Sequence, residues 1–197
     1  MAGELPPKIK QIVPTLEEAL TDLFEQHKDE LIELKSINGI SFDIIPSDNY
    51  AAISFRKQTD YLTMDPFNED RALMYSPGDW KFYSLLEYST CKSEKFREAS
   101  QFIFDLFMEI YESSGEYDGV QQDINHLLYL AIAEAGLQPS VAQKLNEHGL
   151  GVPVVTDHFE YGFEYMVTDM DSPVYFNFCD TIVANRMTAA VAEKLKL

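Results

Sequence analysis

The 197-residue sequence has few cysteines and few basic residues. Its two cysteines, Cys91 and Cys179, lie far apart without a C-x-x-C motif, so we expect free thiols in a reducing compartment. Cys91 is beside Lys92, and a neighbouring cation favours the thiolate form. Lysine and arginine number 15 against 33 acidic residues, a net charge of −18. So acidic a chain repels nucleic acid and anionic membrane surfaces, and neither is an expected partner.

Long apolar segments are also missing. The longest uninterrupted apolar run, residues 127–133, is much shorter than the roughly 20 residues that span a bilayer. The first 14 residues contain no apolar segment of the kind that secretory signals carry. Together these absences predict a cytoplasmic protein that does not enter a membrane.

The common local signatures of catalysis, metal binding and nucleotide binding are absent. The sequence has no H-E-x-x-H, G-x-S-x-G, Walker A or G-x-G-x-x-G motif. We therefore expect no cofactor and no metal, unless His126, His148 and His158 converge in the fold. His126 lies beside an apolar helical stripe, which favours a structural role, and His27 is expected at a solvated helix end. Sites assembled from distant residues leave no local motif, so a small enzyme or small-molecule-binding protein is the alternative.

Hydrophobic residues spaced by three and four predict helices, two of them with capping-box patterns that begin at Thr15 and Ser140. The first 14 residues are expected to form an extended or partly ordered arm. The predicted helices lie over residues 15–29, 93–113, 120–135, 140–149 and 187–197.

Alternating patterns predict an antiparallel sheet. Asn38-Gly39 suits a type I′ turn, so its flanking segments read as a hairpin that a third strand extends into a meander. The predicted strands lie over residues 31–37, 40–45, 51–56, 159–168 and 174–179, and an ordered loop is expected over 57–92. This order predicts a single α+β domain over 1–197, in which a mostly antiparallel sheet packs with a central pair of helices.

One segment, S-P-G-D-W-K-F-Y at residues 76–83, carries a family resemblance. It resembles an uncharacterised family of small bacterial proteins, a domain of unknown function whose members have an S-P-x-D-W-x-Y segment. The order of predicted elements and the L-x-x-x-G-x-G stretch at 145–151 are similar as well. Some members of the family look like neighbours of toxin systems, so the resemblance implies a bacterial source and an immunity role.

Acidity and aromatic anchors together suggest a protein-binding module, and the family resemblance makes an antagonist of a basic toxin the expected role. Complementary fields speed the encounter of such partners, and buried aromatic anchors slow their release. The competing interpretations are that acidity only maintains solubility and that the tryptophan pins a long loop to the core. The candidate partner-binding residues are Asp65, Glu69, Asp70, Asp79, Trp80 and Phe82.

Overall fold

The computed structural model describes residues 5–35, 37–57, 81–115, 117, 119–136, 138–150, 154–157, 192–193 and 195–197. Most of the predicted loop before residue 81 and both predicted late strands, 159–168 and 174–179, lie outside these ranges. Of the predicted closing helix at 187–197, only the last residues are described; residues 192–193 are helical and Leu195 is buried in the core.

The described part of the chain contains both helices and strands. The helices are α1 (Pro7–Lys10), α2 (Ile12–Gln26), α3 (Lys28–Glu33), α4 (Glu94–Ser114), α5 (Val120–Gly136) and α6 (Pro139–Glu147). The strands are β1 (Ile37–Ile45), β2 (Tyr50–Lys57), β3 (Phe82–Glu87) and β4 (Val154–Asp157), and a 3-10 turn (Pro46–Asp48) joins β1 to β2. The predicted α+β class is therefore confirmed. No helix in the described ranges is long and apolar enough to cross a bilayer.

The amino-terminal segment is helical where an extended arm was expected. Helix α2 begins at Ile12, and α1 precedes it. Ile9 and Ile12 are fully buried in the core, and this packing stabilises the helical conformation of the segment. The predicted capping box at Thr15 is wrong, because Thr15 lies inside α2 and donates from its hydroxyl to the carbonyl of Gln11, at 3.0 Å.

The predicted hairpin at Asn38-Gly39 is also wrong. Residues 28–33 form α3, and Asn38-Gly39 lies inside β1 at a register shift between Ile37 and Gly39. The pair is therefore accommodated as an irregularity in the ladder, and the chain does not reverse there. The second half of the predicted meander is confirmed, with its turn completed by Asn49 in the left-handed region (φ 50°), which asparagine tolerates.

The four described strands form one sheet in the order β3-β2-β1-β4. The β1–β2 and β2–β3 pairs are antiparallel and the β1–β4 pair is parallel, so the described sheet is mostly antiparallel, as predicted. Strand β3 falls inside the segment 57–92, where only a loop was expected.

The central helices agree with the sequence pattern. Helix α4 begins after Ser93, whose hydroxyl accepts the Phe96 amide hydrogen at 3.0 Å, and α5 follows a short break. Helix α6 ends where Gly149 takes a φ of +72°, as expected of a glycine terminator. Its predicted capping box at Ser140 is wrong, since Gln138 is the residue before the helix and the Ser140 hydroxyl donates to Glu17 on α2.

Helices α2, α4 and α5 contact one another, and α6 packs on α2. Their buried stripes and one face of the sheet share a single hydrophobic cluster. The Phe42 ring on β1 meets the Phe96 ring on α4 edge to face, with centroids 5.5 Å apart. This contact fixes which face of the sheet is turned toward the helices.

Candidate functional site

The face of the sheet opposite Phe42 is polar and nevertheless buried. The register pairs Ser41 of β1 with Ser54 of β2. Because side chains alternate along a strand, Ser41, Asp43 and Ser54 share this face. Both serines are fully buried and Asp43 is only 5% exposed. Buried polar side chains on a strand need internal partners, and these three bond to one another.

Asp43 accepts a hydrogen bond on each carboxyl oxygen. The Ser41 hydroxyl donates to Oδ1 at 2.6 Å, and the Ser54 hydroxyl donates to Oδ2. Among the side chains that the structure describes, no basic group forms an ion pair with this carboxyl group. Burial therefore raises the pKa of Asp43 to about 7, although the two serine hydroxyls act in the opposite direction.

The same network holds an irregular segment of β3. Residues 83–85 lie between two register pairs, Ile53 with Leu86 and Phe55 with Phe82, and so face Ser54 alone; we call residues 83–85 the β3 bulge. Ser84 at its centre has a φ of +49°, which is unfavourable for a side chain with a Cβ. Its amide donates to the Ser54 hydroxyl at 2.8 Å in place of a ladder partner.

A further contact extends the chain of hydrogen bonds toward solvent. The hydroxyl groups of Ser84 and Tyr50 are hydrogen-bonded to each other. Burial raises the pKa of the Tyr50 phenol; Ser84 opposes this shift and Tyr83 adds to it. We call Ser41, Asp43, Tyr50, Ser54 and Ser84 the Asp43 network. The bulge leaves the large side chains of Tyr83 and Leu85 exposed, at 36% and 39%.

Sequence reasoning missed the Asp43 network, although a signal was present. Ser41 and Asp43 alternate with the apolar Ile40 and Phe42, which is the pattern of a strand with one wet face. Nothing in the pattern shows that the polar face is buried, and so Asp43 looked like one solvated acid among 33.

Of the predicted partner-binding residues, the structure describes only Phe82. Its ring is half-buried, packs against the hydrophobic core and has the Lys81 ammonium 5.9 Å from its centroid. The others lie outside the described residues: Asp65, Glu69, Asp70, Asp79 and Trp80. Their role in partner binding stays a prediction.

Five of the described acids form one surface stripe. They recur along α4 at helical spacing and are all exposed, and we call them the α4 ridge. Its members are Glu94, Glu98, Asp105, Glu109 and Glu112. Glu109 pairs with Lys8 at 2.8 Å, and Asp105 accepts from Gln101, also at 2.8 Å. Gln101 in turn bonds Asn49, so the 3-10 turn and its exposed Asp48 flank the ridge.

The three histidines that the structure describes are buried. His27 is 5% exposed and not solvated as expected. Its Nε2 accepts the backbone N–H of Lys92 at 3.0 Å, so its Nδ1 carries the proton shared with Glu30 at 2.9 Å. His126 and His148 are also buried, and burial lowers the pKa of His126. Within the described ranges, which omit His158, no three metal-binding side chains gather around one point.

Cys91 is a buried thiol. It is 5% exposed, and its sulfur lies 3.5 Å from the carbonyl oxygen of Ser93. Burial raises its pKa, which is the opposite of the shift suggested by the neighbouring Lys92. The Lys92 ammonium group instead pairs with Glu30.

Comparison with known proteins adds no relative. No protein-family model, no curated protein and no solved structure matches the chain.

Proposed function

We propose that this chain is an acidic protein-binding module that recognises a basic protein, in the manner of a bacterial immunity protein bound to its toxin in the cytoplasm. The observation that carries the proposal is the α4 ridge, a row of exposed carboxylates on one face of a 21-residue helix. A basic protein surface is the complementary partner for such a row.

Most of the ridge charge is not balanced by any described lysine. Among the described residues, Glu94, Glu98 and Glu112 form no ion pair. Four acids elsewhere on the helices are paired with lysines: Glu18 with Lys95, Glu30 with Lys92, and Glu25 and Glu147 with Lys144. The ridge therefore leaves most of its charge available to a partner.

Its surroundings supply part of an interface. The Asp48 turn extends the acidic surface across the end of β1, and the loop acids Asp65, Glu69, Asp70 and Asp79 are proposed to add to it. Trp80 and Phe82 are proposed as the apolar centre, since large aromatic side chains dominate the binding energy of many interfaces.

The proposed binding has a charge-matched test. A ridge variant, Glu98→Gln with Asp105→Asn and Glu112→Gln, removes three exposed carboxylates. A control variant, Glu18→Gln with Glu25→Gln and Glu147→Gln, removes three lysine-paired ones, so both variants have the same net charge. Partners co-purified from the native host with wild-type protein are identified, and their association with each variant is measured at 50 and 300 mM NaCl.

We expect a basic partner that associates about tenfold more slowly with the ridge variant than with the control at 50 mM salt, with a smaller difference at 300 mM. A third variant with the four loop acids neutralised separates the contributions of ridge and loop. If the partner binds all variants alike and ignores salt, electrostatic recognition is wrong.

A further inference from the structure

Two hydrogen bonds of the Asp43 network run in one direction, toward the carboxyl group. The Ser84 amide donates to the Ser54 oxygen, and the Ser54 hydroxyl donates to Asp43. A negative charge at the end of such a chain strengthens each bond in it, because the carboxylate polarises the hydroxyl that the amide contacts. The bond that fixes Ser84 is therefore strongest when Asp43 is ionised.

Protonation reverses part of this arrangement. A neutral carboxyl group carries an O–H that must donate to Ser41 or Ser54, the two side chains bonded to its oxygens. The serine that accepts this proton can no longer donate to the carboxyl oxygen, and its own hydrogen is displaced inside a buried site. In either case the carboxyl group no longer carries the negative charge that polarises Ser54, so the Ser84–Ser54 bond is weakened.

The β3 bulge depends on these bonds. Ser84 has a left-handed backbone that serine does not favour, and its amide has exchanged a ladder partner for the Ser54 hydroxyl. Residues 83–85 contain two of the exposed large apolar or aromatic side chains of the described chain, Tyr83 and Leu85. A weaker Ser54 contact thus changes the segment that presents them.

We propose that Asp43, Ser54 and Ser84 form a proton-dependent latch, in which the ionised carboxylate holds the β3 bulge in place and protonation releases it together with Tyr83 and Leu85. The latch operates near neutral pH, because the pKa of Asp43 is about 7. It is independent of the α4 ridge and does not rest on the proposed function.

The other titratable groups near the latch lie on the neighbouring strands. Tyr50 stands on β2, where burial raises the pKa of its phenol and keeps it neutral near pH 7. Tyr83 and Glu87 stand on β3, and Glu87 is the register partner of Ala52, which pairs with Asp43. On β4, Asp157 is the register partner of Asp43. Asp157→Asn is therefore a necessary control for the identity of the titrating group.

The test follows two nuclear magnetic resonance signals of the full chain from pH 5 to 9. The carboxyl carbon of Asp43 is assigned through Asp43→Asn, and the backbone amide of Ser84 through Ser84→Gly. We expect both signals to titrate with one midpoint near pH 7. After correction for intrinsic exchange, the Ser84 amide should be protected about fivefold more at pH 8 than at pH 6, the factor that one ordinary hydrogen bond supplies.

Two serine variants separate the latch from a simple field effect. Both hydroxyls bond Asp43, but only Ser54 contacts Ser84. In Ser41→Ala, the shared midpoint should rise while the Ser84 signal still titrates. In Ser54→Ala, Asp43 should still titrate while the Ser84 signal no longer follows it. Unchanged α4 amide signals verify the fold of each variant.

Three outcomes would overturn the latch. A wild-type Ser84 amide that ignores the Asp43 titration shows that the two are not coupled. Equal titration of Ser84 in Ser54→Ala shows that the coupling does not pass through the hydroxyl. Loss of the titration in Asp157→Asn would show that Asp157, and not Asp43, is the titrating group.

Discussion

Burial raises the pKa of Asp43 by more than the two serine hydrogen bonds lower it. The raised pKa makes the stability of the protein depend on pH. Its pKa in the folded protein, about 7, lies above its ordinary value of 3.8. The folded state therefore binds a proton more tightly than the unfolded state between these two values. The stability that the protonated carboxyl contributes is complete below pH 3.8 and is lost as the pH rises to about 7.

Asp43→Asn should remove this dependence, because asparagine stays neutral at every pH. Between pH 4.5 and pH 8, the free energy of unfolding of the wild type should fall by about 3 kcal/mol relative to that of the variant, at 1.36 kcal/mol per pKa unit. Urea denaturation at several pH values measures the difference. A constant difference across this range would contradict the raised pKa.

Cys91 illustrates the same effect on a thiol. Because burial raises its pKa and leaves it 5% exposed, it should be a poor nucleophile in the native protein. In a Cys179→Ser variant, where Cys91 is the only thiol, we expect labelling by a thiol reagent at pH 8 to be at least about 100-fold slower in native than in denatured protein. Equal rates in the two states would show that the thiol is accessible.

At the scale of elements, helix capping did not follow the sequence motifs. Ser93 caps α4, whereas Thr15 and Ser140 do not cap their helices. The Thr15 motif is a good local cap, but burial of Ile9 and Ile12 moves the helix start upstream. A capping motif predicts where a helix can start, and packing of the preceding residues decides whether it does.

Ser93→Ala should therefore cost about 1–2 kcal/mol of stability, since it removes the bond to the Phe96 amide and a second one, at 2.6 Å, to Asp22. Thr15→Ala is the matched control and should change stability by less than about 0.5 kcal/mol, because Thr15 is exposed and only bonds back to Gln11. Denaturant midpoints compare the two. Equal losses would mean that α2 begins at Thr15.

Periodicity predicted the elements whose partners are close in sequence. The central helices and the β1–β2 pair follow from apolar spacing and a turn of favourable residues. Strand β3 and the buried polar face were not predicted, because they depend on register and on contacts made by the whole fold. Asn38-Gly39 shows the same limit, since a turn-forming pair becomes a bulge when a neighbouring strand runs past it.

For the molecule as a whole, the net charge of −18 opposes folding through self-repulsion. Sodium chloride screens this repulsion, so raising it from 0.05 to 0.3 M should stabilise the protein by roughly 1 kcal/mol. The ridge variant, which carries three fewer charges, should gain less. Urea midpoints at both salt concentrations test this, and destabilisation by salt would show that attractive ion pairs dominate.

The parallel pairing of β4 with β1 has a consequence for how the chain folds. Ile40 pairs with Val154, which lies 114 residues later, whereas Ile45 and Tyr50 are joined by one turn. During synthesis, the amino-terminal helices and the β1–β2 pair emerge early, but one edge of β1 remains without this partner until residues 154–157 leave the ribosome. Long-range contacts form slowly because loop closure costs entropy before the pairing is made. While this edge of β1 lacks its partner, the nascent chain exposes unpaired backbone groups and is prone to aggregation.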